Sequence, residues 1–113
     1  MYTLITSKTN SAATTNATLV RTGSANVIQI TASNINAAIR YLKIYDKATA
    51  PTVGTDTPIL TIPIPATGIV NLVGSESGIN VSLGLGLAIT AAAADSDTTA
   101  VAANEIKVLI NYF

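Results

Sequence analysis

Apolar and polar side chains alternate with a period of two in three parts of the chain, residues 60–64, 81–89 and 106–112. This period places successive side chains on opposite faces, as in a half-buried β-strand. Shorter apolar runs bounded by turn-forming residues raise the number of predicted strands to about eight, which is typical of a sandwich or barrel. We predict an all-β fold, a single-domain antiparallel β-sandwich of the jelly-roll type.

The predicted strands occupy residues 2–6, 17–22, 26–31, 37–45, 60–65, 68–73, 81–90 and 105–113. The second and third should form a hairpin across the short Gly-Ser loop at residues 23 and 24. Residues 8–15 are small and polar, so we expect residues 1–15 to be an N-terminal strand with a flexible arm and residues 16–113 to be the sandwich domain. A helix over residues 79–94 is the main alternative, because alanine favours helices, but two internal glycines and the period of two oppose it.

The strand at residues 60–65 contains two prolines that restrict its place in the sheet. Pro63 and Pro65 are two residues apart, so both lack a backbone donor on the same side of the strand. The strand therefore pairs fully on its other side only, and we predict an edge strand whose prolines block the addition of a further strand.

Two groups of residues are candidates for an interface with another protein. The strand at residues 81–90 has only small side chains on its second face, which would let another surface approach closely; a strand bent by its two glycines is the alternative. Three cations in or just after the strand at residues 37–45 could form a polar rim, although a solvated strand edge also explains them. The candidate interface residues are Arg40, Lys43, Lys47, Ser82, Gly84, Gly86, Ala88 and Thr90.

The composition favours a protein that acts through its surface. Charged residues make up 11% of the 113 residues, well below the roughly 25% of an average soluble domain. Six Lys and Arg balance six Asp and Glu, and this formal net charge of zero promotes association and offers no basic patch to nucleic acid. The first residues lack the features of a signal peptide, and the longest stretch of low polarity, residues 81–94, is too short for a membrane helix.

The residues needed for common catalytic sites are missing. Cys and His are absent, which removes thiol chemistry, disulfides and the commonest general base and metal ligand. The abundant Ser and Thr therefore have no activating base, and the Gly-Leu-Gly at residues 84–86 lacks the third glycine of a dinucleotide loop. We predict a protein that is not an enzyme and requires no cofactor or metal.

A pair of carboxylates offers the only metal-site hypothesis. Asp95 and Asp97 lie two residues apart, and Asp56 or Glu76 could join them in space. Calcium takes roughly six to eight oxygen ligands, some of which such a loop could supply. An ordinary Asx-type turn is the favoured interpretation.

Two segments of the sequence carry a resemblance to a known class of protein. They are residues 36–65, which read NAAIRYLKIYDKATAPTVGTDTPILTIPIP, and residues 86–103, which read GLAITAAAADSDTTAVAA and continue toward the terminus. Together they cover about half of the chain. The segments resemble small virion structural proteins of tailed bacteriophages, and they contain no catalytic residues.

The resemblance implies a head decoration, or cement, protein that bridges subunits of the major capsid protein. It also implies self-association as a homotrimer and a location in the virion, which is assembled in the host cytoplasm. A phage tail or fibre component and a surface adhesion module remain as alternatives. A membrane or nucleic-acid partner is not expected.

Overall fold

The computed structural model describes residues 3–74 and 78–113 and contains nine strands within them. The strands are β1 (Ile5–Asn10), β2 (Thr18–Thr22), β3 (Ala25–Asn34), β4 (Arg40–Asp46), β5 (Leu60–Ile64), β6 (Gly68–Val73), β7 (Ile79–Val81), β8 (Gly84–Thr90) and β9 (Ile106–Tyr112). The described chain has no helix that is long and apolar enough to cross a membrane.

The strands form two antiparallel sheets packed face to face. The first sheet has the order β1-β9-β3-β6, with β7 pairing β3 beside β6, and the second has the order β2-β8-β4-β5. Alternate side chains of each strand point into the space between the sheets, so β9 is buried at every second residue. Both sheets contribute fully buried aliphatic side chains to one core, among them Ile30 and Ile110 from the first and Leu42 and Leu87 from the second. The predicted all-β sandwich is confirmed.

The strand pairings are nested along the chain. β4 pairs β5, β3 pairs β6, β2 pairs β8 and β1 pairs β9. The chain is therefore one long hairpin that doubles back between β4 and β5, and its two arms pass together from one sheet to the other. This arrangement is the jelly roll, as the sequence predicts.

The predicted hairpin across residues 23 and 24 is wrong. β2 belongs to the second sheet and β3 to the first, so the Gly-Ser loop carries the chain between the sheets. Gly23 has a φ of 86°, which suits glycine, and its N–H donates to Leu83 O at 3.0 Å. A short glycine loop joins strands of one sheet or of two, and the apolar pattern does not distinguish the cases.

The first strand begins and ends later than the sequence predicts. It covers Ile5–Asn10 and pairs with β9 along its whole length, so three residues assigned to a flexible arm belong to a sheet. Ser11 follows in a buried position, where its Oγ accepts hydrogen bonds from the N–H groups of Glu105 and Ile106. Thr, Ser and Asn in this stretch fit a pleated edge as well as a linker. Residues 1 and 2 lie outside the described residues.

The long strand predicted at residues 81–90 is divided into β7 and β8. The chain crosses from the first sheet to the second at Ser82 and Leu83, so Leu83, predicted to point inward, is 59% exposed. The Asp46 carboxylate holds this corner by accepting hydrogen bonds from the N–H groups of Ser82, Leu83 and Gly84. These hydrogen bonds keep the pKa of Asp46 below its usual value despite some desolvation, and the bond from the Ser82 N–H has the largest effect.

β5 lies at an edge of the second sheet, as its prolines predict. Lys47 N donates to Gly84 O at the end of β4, so the odd-numbered residues of β4 face β8 and the even-numbered ones face β5. The even-numbered residues of β5 face β4 in turn, and Pro63 and Pro65 have their missing donors on the open side.

We expect the double substitution Pro63→Thr and Pro65→Thr to make the protein aggregate, because it restores two free donors to an exposed edge. Light scattering and sedimentation during storage at high concentration measure the effect. Pro58→Thr, in the loop before β5, is the matched control and should behave like the native chain. A double variant that stays as dispersed as this control would contradict the protective role of the two prolines.

Candidate interaction surfaces

The outer face of the second sheet is covered by the chain itself. Two loops, residues 47–59 and 91–100, lie over it, and we call them the covering loops. A Cβ placed on Gly86 would lie 3.2 Å from Pro51 Cδ, and one placed on Gly54 would lie 3.3 Å from Ser96 O. The first of these contacts joins a covering loop to the sheet, and the second joins the two loops to each other.

Burial removes most of the predicted interface residues from reach. Lys43, Gly84, Gly86, Ala88 and Thr90 are all buried within the single chain. The small side chains of β8 do permit a close approach, but the approaching surface is the chain's own backbone and Pro51. The expectation that these five residues contact another protein is therefore corrected.

Of the other three predicted interface residues, Ser82 and Lys47 lie near each other at the end of β4, and Arg40 lies at its start. Ser82 is exposed at the corner between the sheets. Lys47 forms an ion pair with Asp56, whose carboxylate also accepts the Thr52 N–H at 2.7 Å. These hydrogen bonds lower the pKa of Asp56, and the bond from Lys47 has the largest effect. They also fasten the first covering loop to the end of β4.

Arg40 is held by a buried carboxylate. Its Nε lies 3.1 Å from Glu105 Oε2, and the Glu105 side chain is only 4% exposed. The same carboxylate accepts hydrogen bonds from Asn36 Nδ2 and from Ala102 N. Burial favours the neutral acid, but these hydrogen bonds and the charge of Arg40 outweigh it and lower the pKa of Glu105. This cluster ties the start of β4 to the residue before β9.

Lys43 is the most unusual residue beneath the covering loops. Its side chain is fully buried, and Nζ donates to Ala94 O at 2.6 Å. Tyr45 lies on the same face of β4, and its buried hydroxyl has no hydrogen-bond partner among residues 3–74 and 78–113. Burial, with the negative charges of Asp56 and Asp95, raises the pKa of that hydroxyl. Lys43 thus fastens the second covering loop to the sheet.

We expect Lys43→Met to leave the stability within about 1 kcal/mol of the native chain, because a buried charge replaced by an apolar group of similar volume is often neutral. Lys43→Ala, which also removes the packed stem, should cost about 2–4 kcal/mol. Urea unfolding of both variants provides the comparison. Equal losses would show that the ammonium, rather than the stem, holds the loop.

Asp97 forms the predicted turn. Its carboxylate accepts hydrogen bonds from the Thr99 N–H, the Thr99 hydroxyl and the Ala92 N–H. Desolvation opposes ionisation, but these bonds lower the pKa of Asp97. In residues 3–74 and 78–113, no group of three acidic side chains is arranged to hold a metal ion. Glu76, suggested as an additional ligand, lies outside the described residues.

The outer face of the first sheet is the surface that the sequence did not reveal. Its side chains are exposed or half-buried, and we call it the open face. The open face consists of Thr6, Lys8 and Asn10 of β1, Lys107, Leu109 and Asn111 of β9, Gln29, Thr31 and Ser33 of β3, and Ile69, Asn71 and Val73 of β6. A shallow depression of about 460 Å³ lies over Thr31 and Ser33, between Lys107 and Ile69.

A network of side-chain hydrogen bonds crosses all four strands of the open face. Asn111 accepts from the Thr6 hydroxyl at 2.8 Å and donates to Gln29 Oε1 at 3.2 Å. Asn71 Oδ1 accepts from Gln29 Nε2 at 3.1 Å and from the Thr31 hydroxyl at 3.0 Å. The network orders uncharged polar groups on an exposed surface. Each member has at least one buried or half-buried neighbour along its strand, but only the strand order brings the members together.

Little charge is present on the open face. Lys8 and Lys107 are its only charged residues, and neither has an acidic partner in the described part of the chain. Lys8 pairs with Leu109, and Lys107 pairs with Asn10, so the two ammonium groups occupy diagonal positions on adjacent strands.

Compared with protein-family models, curated protein sequences and solved structures, the chain shows no match.

Proposed function

We propose that the protein is a virion structural protein of a tailed bacteriophage and decorates the head by bridging subunits of the major capsid protein. The resemblance of residues 36–65 and 86–103 supports the class of protein. The jelly roll is compatible with it, since this fold occurs in viral capsid domains, but the same fold serves many other functions. The observation that carries the proposal is the open face.

The open face suits permanent coverage by another protein. Ile69 and Val73 are 63% and 65% exposed, and the surrounding amides already satisfy one another. Covering such a surface buries apolar area while only two ammonium groups need to be desolvated or paired. The outer face of the second sheet lies under the covering loops, so within the described residues the first sheet presents the bare sheet face.

Binding of this kind would strengthen a head by mass action. A protein that binds the assembled shell and not free subunits stabilises the shell, and repetition over many sites adds avidity. The neutral formal charge also favours contacts between neighbouring copies, for which the resemblance implies a trimer.

Virions made with and without the protein test the proposal. We expect the protein in purified heads, and we expect heads that lack it to release DNA at a lower temperature until purified protein is added back. Detection in detached tails alone, with heads of unchanged heat resistance, would refute head decoration and favour the tail alternative.

A matched pair of variants tests the face. Ile69→Glu places a carboxylate on the open face, and Leu83→Glu places one at the corner between the sheets, at a residue of similar exposure, 59%. Because an unpaired charge is costly to bury, we expect the first variant to bind stripped heads at least about tenfold more weakly and the second to bind normally. Equal binding would show that another surface contacts the head.

A further inference from the structure

Among the described residues β1 forms one edge of the first sheet, and the backbone groups on its open side can be assigned. Ser11 N donates to Ile106 O just after the strand, so the odd-numbered residues of β1 direct their N–H and C=O groups toward β9. By alternation, the backbone groups of Thr6, Lys8 and Asn10 face away from the sheet. Backbone groups of this kind require hydrogen-bond partners, which are water or an added strand.

The other edges are less suited to an added strand. β5 lacks a donor at Pro63, and Pro65 directly after it lacks one too. β2 is only five residues long, and its register with β8 shifts between Leu19 and Arg21. β6 presents the backbone groups of three residues, but none of its side chains is charged. β1 combines three unprotected residues with a charge that would select a partner.

The charges beside β1 indicate the chemistry of that partner. Lys8 and Lys107 lie on the open face next to the free edge, and no acidic residue of the described ranges accompanies them there. A second copy of β1 would bring two further ammonium groups to the same surface, which disfavours pairing between copies. On the inner side of the edge, Ile5 is 38% exposed, with Ser7 and Thr9 half-buried beside it.

We infer that the free edge of β1 binds an extended acidic segment of a partner protein as an additional antiparallel strand. Backbone hydrogen bonds to Thr6, Lys8 and Asn10 supply the affinity, as in other cases of strand addition. An Asp or Glu of the segment faces Lys8 on the outer side, and apolar side chains cover Ile5 on the inner side. The segment therefore alternates apolar residues with polar ones that include at least one acid.

The identity of the partner as a shell subunit rests on the proposed function, whereas its chemistry rests on the edge alone. The identity of the partner and its chemistry can therefore be refuted independently. A protein found only in tails would remove the shell subunit as partner and leave the strand site intact. A protein that binds heads but whose β1 edge binds no peptide would remove the strand site and leave the proposed function intact.

Synthetic peptides serve as probes. The first is a capped peptide of sequence Thr-Val-Asp-Val-Asp-Val-Thr, and the second carries Lys at both Asp positions. We expect the acidic peptide to bind at least about tenfold more tightly at low salt, and the difference to shrink near 1 M salt, where charges are screened within about 3 Å. Residue-resolved hydrogen exchange should show new protection at the Thr6 and Lys8 amides, while those of Ser7 and Thr9 are protected already.

Matched variants distinguish the contribution of the backbone N–H to peptide binding from that of the side chain. Thr6→Pro removes one free donor and should weaken binding at least about tenfold, whereas Thr6→Val removes only the hydroxyl and should bind normally. Thr61→Pro makes the same change on the open side of β5 and should have no effect. Lys8→Gln should abolish the preference for the acidic peptide and remains informative even if Thr6→Pro does not fold.

Three results would overturn the inference. Equal affinity for the two peptides would contradict the claim that the partner segment is acidic. Protection of β6 amides instead of Thr6 and Lys8 would place the site at the other edge. Protection of Thr6 and Lys8 that rises with protein concentration in the absence of peptide, with a dimer in sedimentation, would show that a second copy occupies the edge.

Discussion

Replacing Gly84 with alanine is expected to destabilise the protein by about 3 kcal/mol or more, although it adds a single methyl group. A Cβ at this position would collide with the Lys47 carbonyl oxygen and lie 3.1 Å from Arg21 O. These atoms belong to the backbone on the two sides of β8, and Gly84 O itself accepts the Lys47 N–H at 3.0 Å. Overpacking usually costs about 1–3 kcal/mol, and here no flexible side chain is available to yield.

Gly86→Ala, two residues further along β8, is the control. Its Cβ would lie 3.2 Å from Pro51 Cδ and 3.4 Å from Tyr45 Cβ, both side-chain atoms and one of them in a covering loop. Because that loop can shift slightly, the expected cost is about 1–2 kcal/mol. Urea unfolding at one temperature compares the two variants. If Gly84→Ala costs no more than Gly86→Ala, the backbone at this corner is more adaptable than its contacts indicate.

Arg40→Ala should cost about 3–5 kcal/mol at neutral pH, because it leaves the Glu105 carboxylate buried without its counter-charge. Lys47→Ala breaks the other ion pair, whose side chains are 32% and 27% exposed, and should cost under about 1 kcal/mol. Thermal and urea unfolding measure both. Similar losses would mean that Asn36 and Ala102 alone are sufficient to stabilise the Glu105 carboxylate.

The same cluster predicts a dependence on pH. The pKa of Glu105 is lowered in the folded chain, so its ionisation stabilises the fold above the pKa of the unfolded state, near 4.5. That contribution is lost as the pH falls through the lower folded value. In Glu105→Gln the acid-induced loss of stability should be smaller between pH 5 and the acid limit, and an unchanged slope would assign the loss to other carboxylates.

The sequence predicted those features that depend on neighbouring residues. The inward side chains of β5 and β9 followed from a period of two, and the edge position of β5 followed from two prolines. Both inferences concern a strand and its own backbone, where alternation leaves little choice.

Features that depend on distant residues were missed. Leu83 fits the alternation of its neighbours, but the Asp46 carboxylate, 37 residues away, turns the chain there. Lys43 had the sequence appearance of a solvent-facing cation, and only the covering loops explain its burial. The open face likewise requires the order of four strands, which no local pattern contains.

The position of β9 has a consequence for how the molecule folds. β9 lies between β1 and β3, and Thr6 contacts Asn111 across a separation of 105 residues. During synthesis β1 and β3 are made early, but β9, the strand that joins them, is the last strand to be made. Until then β1 and β3 cannot pair through it. Folds dominated by such remote contacts close slowly, over roughly milliseconds to seconds. During that interval the unpaired strands are exposed to other chains, so a higher rate of synthesis should lower the soluble yield.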